Sequence, residues 1–271
     1  MIIGLFISVE DPKMRLVVKG VMQAAKTHGA TVVIYGTATE RVYSSLNESM
    51  LHRFFSFSPA KHDGVIFAFA GKLLQAYATT LWGAGFPAFL VGRQLGEVPN
   101  VINNNKETFC AIVHGLAEKG HRQIAFLSGS AETYSASERF LGYRQGLKEC
   151  GIEFDPSLII EGDYTSQTAT LNLGIALAKG WRCTALIAAN DNSAIGAMDA
   201  MRAAGLSPGA DIEVVGFDNI PQAHWSKPPL STYDPQLFQM GYRAAEELAK
   251  CIRKEAFETR VIVPACFMPR T

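Results

Sequence analysis

The chain has 271 residues, 48% hydrophobic and 18% charged, which is the composition of a folded protein and excludes a disordered one. Its 25 basic and 25 acidic side chains cancel, so the positive excess of a nucleic-acid-binding surface is missing. No apolar run approaches the roughly 20 residues that span a bilayer, and Met1-Ile2-Ile3-Gly4 lacks the basic region and small-residue cleavage site of a signal peptide, so the expected compartment is the cytoplasm with no membrane contact.

Along the chain, apolar residues at helical spacing end repeatedly at a glycine and are followed by a short aliphatic run. Asp11-Pro12 offers a capping carboxylate and a first-turn proline for a helix through Val17, Val21 and Ala24, which stops at Gly29 before the strand Val32-Val33-Ile34-Tyr35. A helix through Leu73, Leu74, Tyr77 and Leu81 carries an apolar stripe suited either to the core or to a two-fold partner. Val101-Ile102 precedes Asn103-Asn104-Asn105 and a helix through Phe109, Ile112, Val113 and Leu116, which ends at Lys119-Gly120 before Ile124–Leu127. Ser135 and Glu138 have capping-box spacing for a helix with Phe140, Tyr143, Leu147 and Cys150, so Arg139 lies near a first turn at the sheet's carboxyl edge.

The rhythm continues at Lys179-Gly180 before Ala185–Ala188 and at Ala204-Gly205 before Ile212–Val215. Gly216 then turns the backbone, and Phe217-Asp218-Asn219 sits where open α/β sheets hold their ligands. Asp234-Pro235 opens a helix with Leu237, Met240, Ala244, Leu248 and Cys251, and Val261-Ile262-Val263 is a further strand. Strands apolar on both faces imply parallel sheets covered by helices on each side. Five scattered cysteines form no CxxC pair and the six histidines no HExxH spacing, so these residues read as structural and neither a metal nor a cofactor is expected. No nucleophile elbow, Walker loop or GxGxxG appears, and the chain is read as a binding protein without enzymatic activity.

The turn Val214-Val215-Gly216-Phe217-Asp218-Asn219, with the Pro-rich stretch and Leu230-Ser231-Thr232 after it, resembles the ligand-binding core of the lactose-repressor (LacI/GalR) family of transcription regulators. Gly120-His121-Arg122-Gln123-Ile124 resembles its Gly-His-Arg-x-Ile segment, Arg139-Phe140-Leu141-Gly142-Tyr143 its Arg-x-x-Gly-aromatic helix, and Asn190-Asp191-Asn192-Ser193-Ala194-Ile195-Gly196 its Asn-Asp-x-x-Ala-x-Gly helix start. Ile2–Phe6, Asp63–Ile66 and Pro87–Val91 are similar to its first, third and fourth strands, and Arg270-Thr271 to its closing residues. The resemblance implies a periplasmic-binding-protein-like α/β fold: two Rossmann-like lobes with parallel sheets, joined by three crossovers around a ligand cleft. On that reading residues 1–103 with 234–257 form the amino-terminal lobe, and 104–233 with 258–271 the carboxyl-terminal one.

The resemblance also implies the site, position by position. Arg139 would hydrogen-bond ligand oxygens, against a solvated arginine or an ion pair to Glu138, and Asp218 would accept from ligand hydroxyls, against a plain turn-former. Asn190 would touch ligand and Asp191 be structural, although either suits a helix cap; Tyr164 would stack on a ring, or be an exposed loop tyrosine. From the amino-terminal lobe come Glu10, Phe69 and Arg93, with Phe69 equally suited to a core and Arg93 standing where relatives vary. The implied function is an effector-binding and dimerisation domain that senses a small polar molecule, a sugar or sugar derivative first, and shifts DNA affinity allosterically as a homodimer. Operator DNA would be bound only through a helix-turn-helix headpiece absent from this chain, which reads as an excised core. The alternative is the solute-binding protein of a sugar transporter.

Overall fold

The computed structural model describes residues 1–37 and 57–270, so Thr271 of the closing pair lies outside the described residues. The chain divides into two compact units, residues 1–103 with 236–263, and 104–235 with 264–271.

The first unit is built on a six-stranded parallel sheet, β1 (Ile2–Ser8), β2 (Thr31–Thr37), β3 (Gly64–Ala68), β4 (Ala88–Val91), β5 (Asn100–Asn103) and β11 (Arg260–Val263), in the order β11-β5-β4-β3-β1-β2. Alternate side chains of one strand serve two cores: Ile66 and Ala68 of β3 pack under helices α1 (Met14–Thr27) and α8 (Leu237–Ile252), while Val65 and Phe67 pack under α2 (Lys72–Gly83). At the inner strands β3, β4 and β5 both faces are dry, so these read as continuous buried runs, whereas the edge strands β2 and β11 keep exposed positions. Helices α1 and α8 approach backbone to backbone. A Cβ at Gly20 would stand 2.0 Å from the Phe238 carbonyl oxygen, and one at Gly241 2.3 Å from that of Val17, so both positions require glycine.

The second unit repeats the plan with β6 (Ile124–Leu127), β7 (Ile159–Ile160), β8 (Ala185–Ala188) and β9 (Glu213–Val215), all parallel, in the order β7-β6-β8-β9. Leu127, Leu186 and Val214 face helices α5 (Ser166–Ala178) and α6 (Asp191–Ala203); Phe126, Ile187 and Val215 face α3 (Asn105–Glu118) and α4 (Tyr134–Glu149). A short helix, α7 (Pro221–Trp225), follows β9, and β10 (Thr232–Asp234) pairs antiparallel with β12 (Cys266–Met268). Helices stop where glycine takes a left-handed conformation, as at Gly120 (φ 93°) and Gly180 (φ 85°).

Several expectations need correction. Val261-Ile262-Val263, expected in the second unit, is an edge strand of the first: Val261 pairs with Val101 and Val263 with Asn103, and both valines are buried beneath α1 and α8. The chain therefore leaves the first unit after Val263, not after residue 257. Conversely Asp234-Pro235 stays with the second unit, and α8 starts only after Gln236, whose φ of 57° interrupts the backbone. Helix α1 starts at Met14, and Asp11 instead accepts the Lys13 N–H at 3.0 Å in the preceding turn. The cap of α4 is Thr133, accepting from the Ala136 N–H at 3.2 Å, rather than a Ser135/Glu138 box. Leu74, Tyr77 and Leu81 are spent on the core of their own unit.

Candidate functional site

The second sheet reverses its winding between β6 and β8, and the crevice at the carboxyl ends of such strands is where open α/β sheets take ligands. Arg139, from the second turn of α4, folds back toward this point and is only 7% exposed. Its Nε donates to Asn105 Oδ1 at 2.9 Å and its Nη1 to the Ala189 carbonyl, just past β8, at 2.5 Å. The guanidinium carbon lies 4.1 Å from the ring centroid of Phe217 and 5.6 Å from that of Phe109, so two π faces support the cation. Among the described residues it has no carboxylate partner, and the ion pair to Glu138 is not formed. A buried guanidinium held by two neutral acceptors keeps the remaining N–H groups of its fork unspent.

Asn190 stands next to the carbonyl that Arg139 grips. It is the N-cap of α6, its Oδ1 accepting from the Ser193 N–H at 2.9 Å, and its Nδ2 donates to the Tyr164 carbonyl at 3.1 Å. Capping and ligand contact are thus not exclusive readings, because an amide has acceptor and donor capacity beyond these bonds. Asp191 is fully buried and structural, Oδ2 accepting from the Ile220 N–H at 2.9 Å and Oδ1 from the Thr232 hydroxyl at 2.5 Å. Gly216 is required beside it, since a Cβ there would meet Asp191 Oδ1 at 2.2 Å.

Tyr164 is held rather than loose. Its φ is 73°, its hydroxyl shares hydrogen bonds with Thr133 Oγ1 (2.9 Å) and Ser135 Oγ (3.2 Å), and its ring covers Gly129, where a Cβ would sit 2.2 Å from Cζ. Asp218 follows Phe217 with φ 120°, its N–H donating to the Tyr233 carbonyl at 2.8 Å, and Asn219 follows with φ 53°. Consecutive non-glycine residues with positive φ are strained and persist only where the surroundings hold them. Here the surroundings are visible: Asn219 Oδ1 accepts from Arg270 Nη2 at 2.5 Å, its Nδ2 donates to Asp234 at 3.0 Å, and Arg270 Nη1 donates to the Leu230 carbonyl at 3.0 Å. The second unit thereby joins Arg139 to Asp218 through Phe217, and to Asn190 and Tyr164 through Ala189.

In the first unit the strand ends carry the other three residues. Glu10 follows β1 and is exposed. Phe69 follows β3 with φ 51° and is 43% exposed, which removes it from the core; its ring lies on Gly92, where a Cβ would meet Cε1 at 2.4 Å. Arg93, half-buried, follows Gly92 past the end of β4.

Sequence reasoning missed Asn105, Phe109 and Phe217 as the seat of Arg139. The only local signal for Asn105 was the asparagine run at 103–105; the pairing to a residue 34 positions away leaves no trace in spacing.

The chain belongs to the periplasmic binding protein-like domain family, which residues 113–271 match, and it is similar to regulators of the LacI/GalR type. It is 33% identical over 170 residues to the HTH-type transcriptional repressor PurR of Vibrio atlanticus (strain LGP32), covering 63% of this chain and 51% of that protein. It is 27% identical over 203 residues to catabolite control protein A of Priestia megaterium, covering 74% of this chain and 61% of that protein. The match thus spans about half to three-fifths of these relatives' lengths. Among solved structures, the complex of the transcriptional regulator CelR with cellobiose superposes with a TM-score of 0.85 at 25% identity, over 99% of this chain and 83% of that one. These relatives are transcription regulators, and among the described residues no helix is long and apolar enough to cross a membrane.

Proposed function

We propose that this chain is the effector-sensing part of a LacI-type transcription regulator, and that a small oxygen-rich molecule completes the unspent donors of Arg139. The observation that carries the reading is the burial of that guanidinium against neutral acceptors and two aromatic faces, since buried charges are otherwise paired. Asp218 accepts ligand hydroxyls, Asn190 contributes its remaining amide capacity, and Tyr164 offers a fixed ring; Glu10, Phe69 and Arg93, at strand ends of the first unit, are the further candidates for ligand contact. Donors and acceptors side by side suit a polyhydroxylated ligand, so a sugar or sugar derivative is the first choice, and the cellobiose held by CelR supports that class. Nucleosides, nucleobases and small acids also present the oxygens that Arg139 requires.

An effector acts by binding one conformation better than another and shifting the population toward it, which changes operator affinity in a homodimeric, cytoplasmic regulator whose DNA contacts come from a separate headpiece. The regulator reading is supported over a transporter's solute-binding protein by the relatives, and the chemistry of the site is binding without turnover.

Thermal-shift screening against sugars, nucleosides and small acids tests this directly, because a ligand that binds only the folded state raises the melting temperature. The expected result is one chemical class that raises it, with the shift abolished in Arg139→Ala and in Asp218→Ala while both variants still melt cooperatively. A full shift in both variants would mean the ligand sits elsewhere, and conversion of a bound sugar to product would replace sensing by catalysis.

A further inference from the structure

Beyond the seat of Arg139 on α3 and α4 lies a second constellation, none of whose residues belongs to the proposed effector site. Cys110 and His114 are one turn apart on α3, and Glu149 is the last residue of α4. Two glycines of α4 bring the helices close enough to unite them: a Cβ at Gly142 would stand 2.2 Å from the Lys106 carbonyl oxygen, and one at Gly146 2.9 Å from that of Cys110. Cys110 Sγ is 3.2 Å from Glu149 Oε2 and 3.8 Å from His114 Nε2, and the latter two atoms are 3.0 Å apart. Zinc bond lengths to sulfur, imidazole nitrogen and carboxylate oxygen put the edges of a tetrahedral site at about 3.3–3.6 Å, so the triangle needs adjustments of less than about half an ångström.

We propose that Cys110 Sγ, His114 Nε2 and Glu149 Oε2 form a site for one divalent transition-metal ion, zinc first, with water in the fourth position. Sulfur, nitrogen and oxygen together select zinc, cobalt or copper over magnesium and calcium, which take oxygen alone. The carboxylate is already oriented for the task, because Gln145 Nε2 donates to Glu149 Oε1 at 2.6 Å and leaves Oε2 for the cysteine and histidine. The thiol is on the buried floor, whereas His114 and Glu149 are partly open to solvent and give an ion a way in. As the sulfur–metal bond forms, the thiol proton, which the unliganded protein donates to Glu149, leaves to water.

Cobalt(II) is the probe. Titration of the intact chain with cobalt is expected to give one equivalent bound, a sulfur-to-cobalt charge-transfer band in the near ultraviolet and the intense visible bands of tetrahedral geometry, all displaced by zinc. Cys110→Ser is expected to remove the charge-transfer band, His114→Ala and Glu149→Gln to weaken binding at least ten-fold, and Cys150→Ser, the neighbouring thiol, to change neither. His114 and Glu149 are partly exposed, so these two variants keep the test valid if the buried Cys110→Ser variant fails to fold, and circular dichroism checks each. Absence of the band in the unaltered chain, survival of the band in Cys110→Ser, its loss in Cys150→Ser, or unchanged affinity in both His114→Ala and Glu149→Gln would each overturn the assignment.

Discussion

Arg139 and Glu247 are buried charges, one in each unit, and the protein completes them in opposite ways. Glu247, fully buried on α8, accepts from Lys250 Nζ at 2.7 Å, from the Glu258 N–H at 2.8 Å and from Arg243 Nη2 at 3.4 Å. Burial pushes its carboxyl up, but the hydrogen bonds from Lys250 and Glu258 and the charges of Lys250 and Arg243 outweigh burial and hold it below the usual carboxylate range. Arg139, by contrast, has aromatic faces and two neutral acceptors and no counter-charge among the described residues. A charge finished within the fold belongs to stability, and one left with spare donors belongs to something that arrives from outside.

The contrast breaks most visibly if both charges are removed in turn. Arg139→Met should lower affinity for the effector identified by thermal shift at least 100-fold, about 3 kcal/mol by calorimetry, and leave the melting temperature of the unliganded protein within a few degrees. Glu247→Gln should do the reverse, costing about 2 kcal/mol in denaturant unfolding with effector affinity unchanged. Its effect is tied to acid: a carboxyl that titrates lower in the folded state than unfolded stabilises fully above about pH 5 and loses that contribution as pH falls through the depressed value. The stability gap between unaltered protein and Glu247→Gln should therefore close in acid, which unfolding curves from pH 7 down to about pH 3 would show.

The rest sharpen the same division at the sheet edges. Gly129→Ala forces Tyr164 off its seat, and an effector affinity lower by about ten-fold, about 1.4 kcal/mol, is expected with little change in unfolding free energy. Phe69→Ala should be the mildest: an exposed ring contributes under about 1 kcal/mol to stability, and its loss should weaken effector binding only several-fold in calorimetry.

How much of this was legible beforehand depended on whether the signal was local. Strands Ile124–Leu127 and Ala185–Ala188 could be read because each is an aliphatic run after a helix-ending glycine. Caps were misplaced by a few residues because Asp11 and Asp234 carry the right chemistry, while the turn at Lys13 and the left-handed Gln236 decide where the helix begins. Val261–Val263 was assigned to the wrong unit since a three-residue apolar run fits the edge of either sheet and only its register with Val101 and Asn103 settles the matter. Arg139, Asp218 and Asn190 were picked out through family resemblance, and their supports, Asn105, Phe217 and Arg270, are long-range partners that no spacing rule reports. The Cys110/His114/Glu149 triangle escaped for the same reason, its third member lying on another helix.

The seam between α1 and α8 joins residues 14–27 to residues 237–252. During synthesis the apolar side of α1 and its sheet must therefore wait uncovered for about two hundred further residues to leave the ribosome, a stretch of time in which chaperones and aggregation compete for the nascent chain. Because Gly20 and Gly241 admit no side chain between the two backbones, even an alanine there would leave that late partner nothing flush to close against.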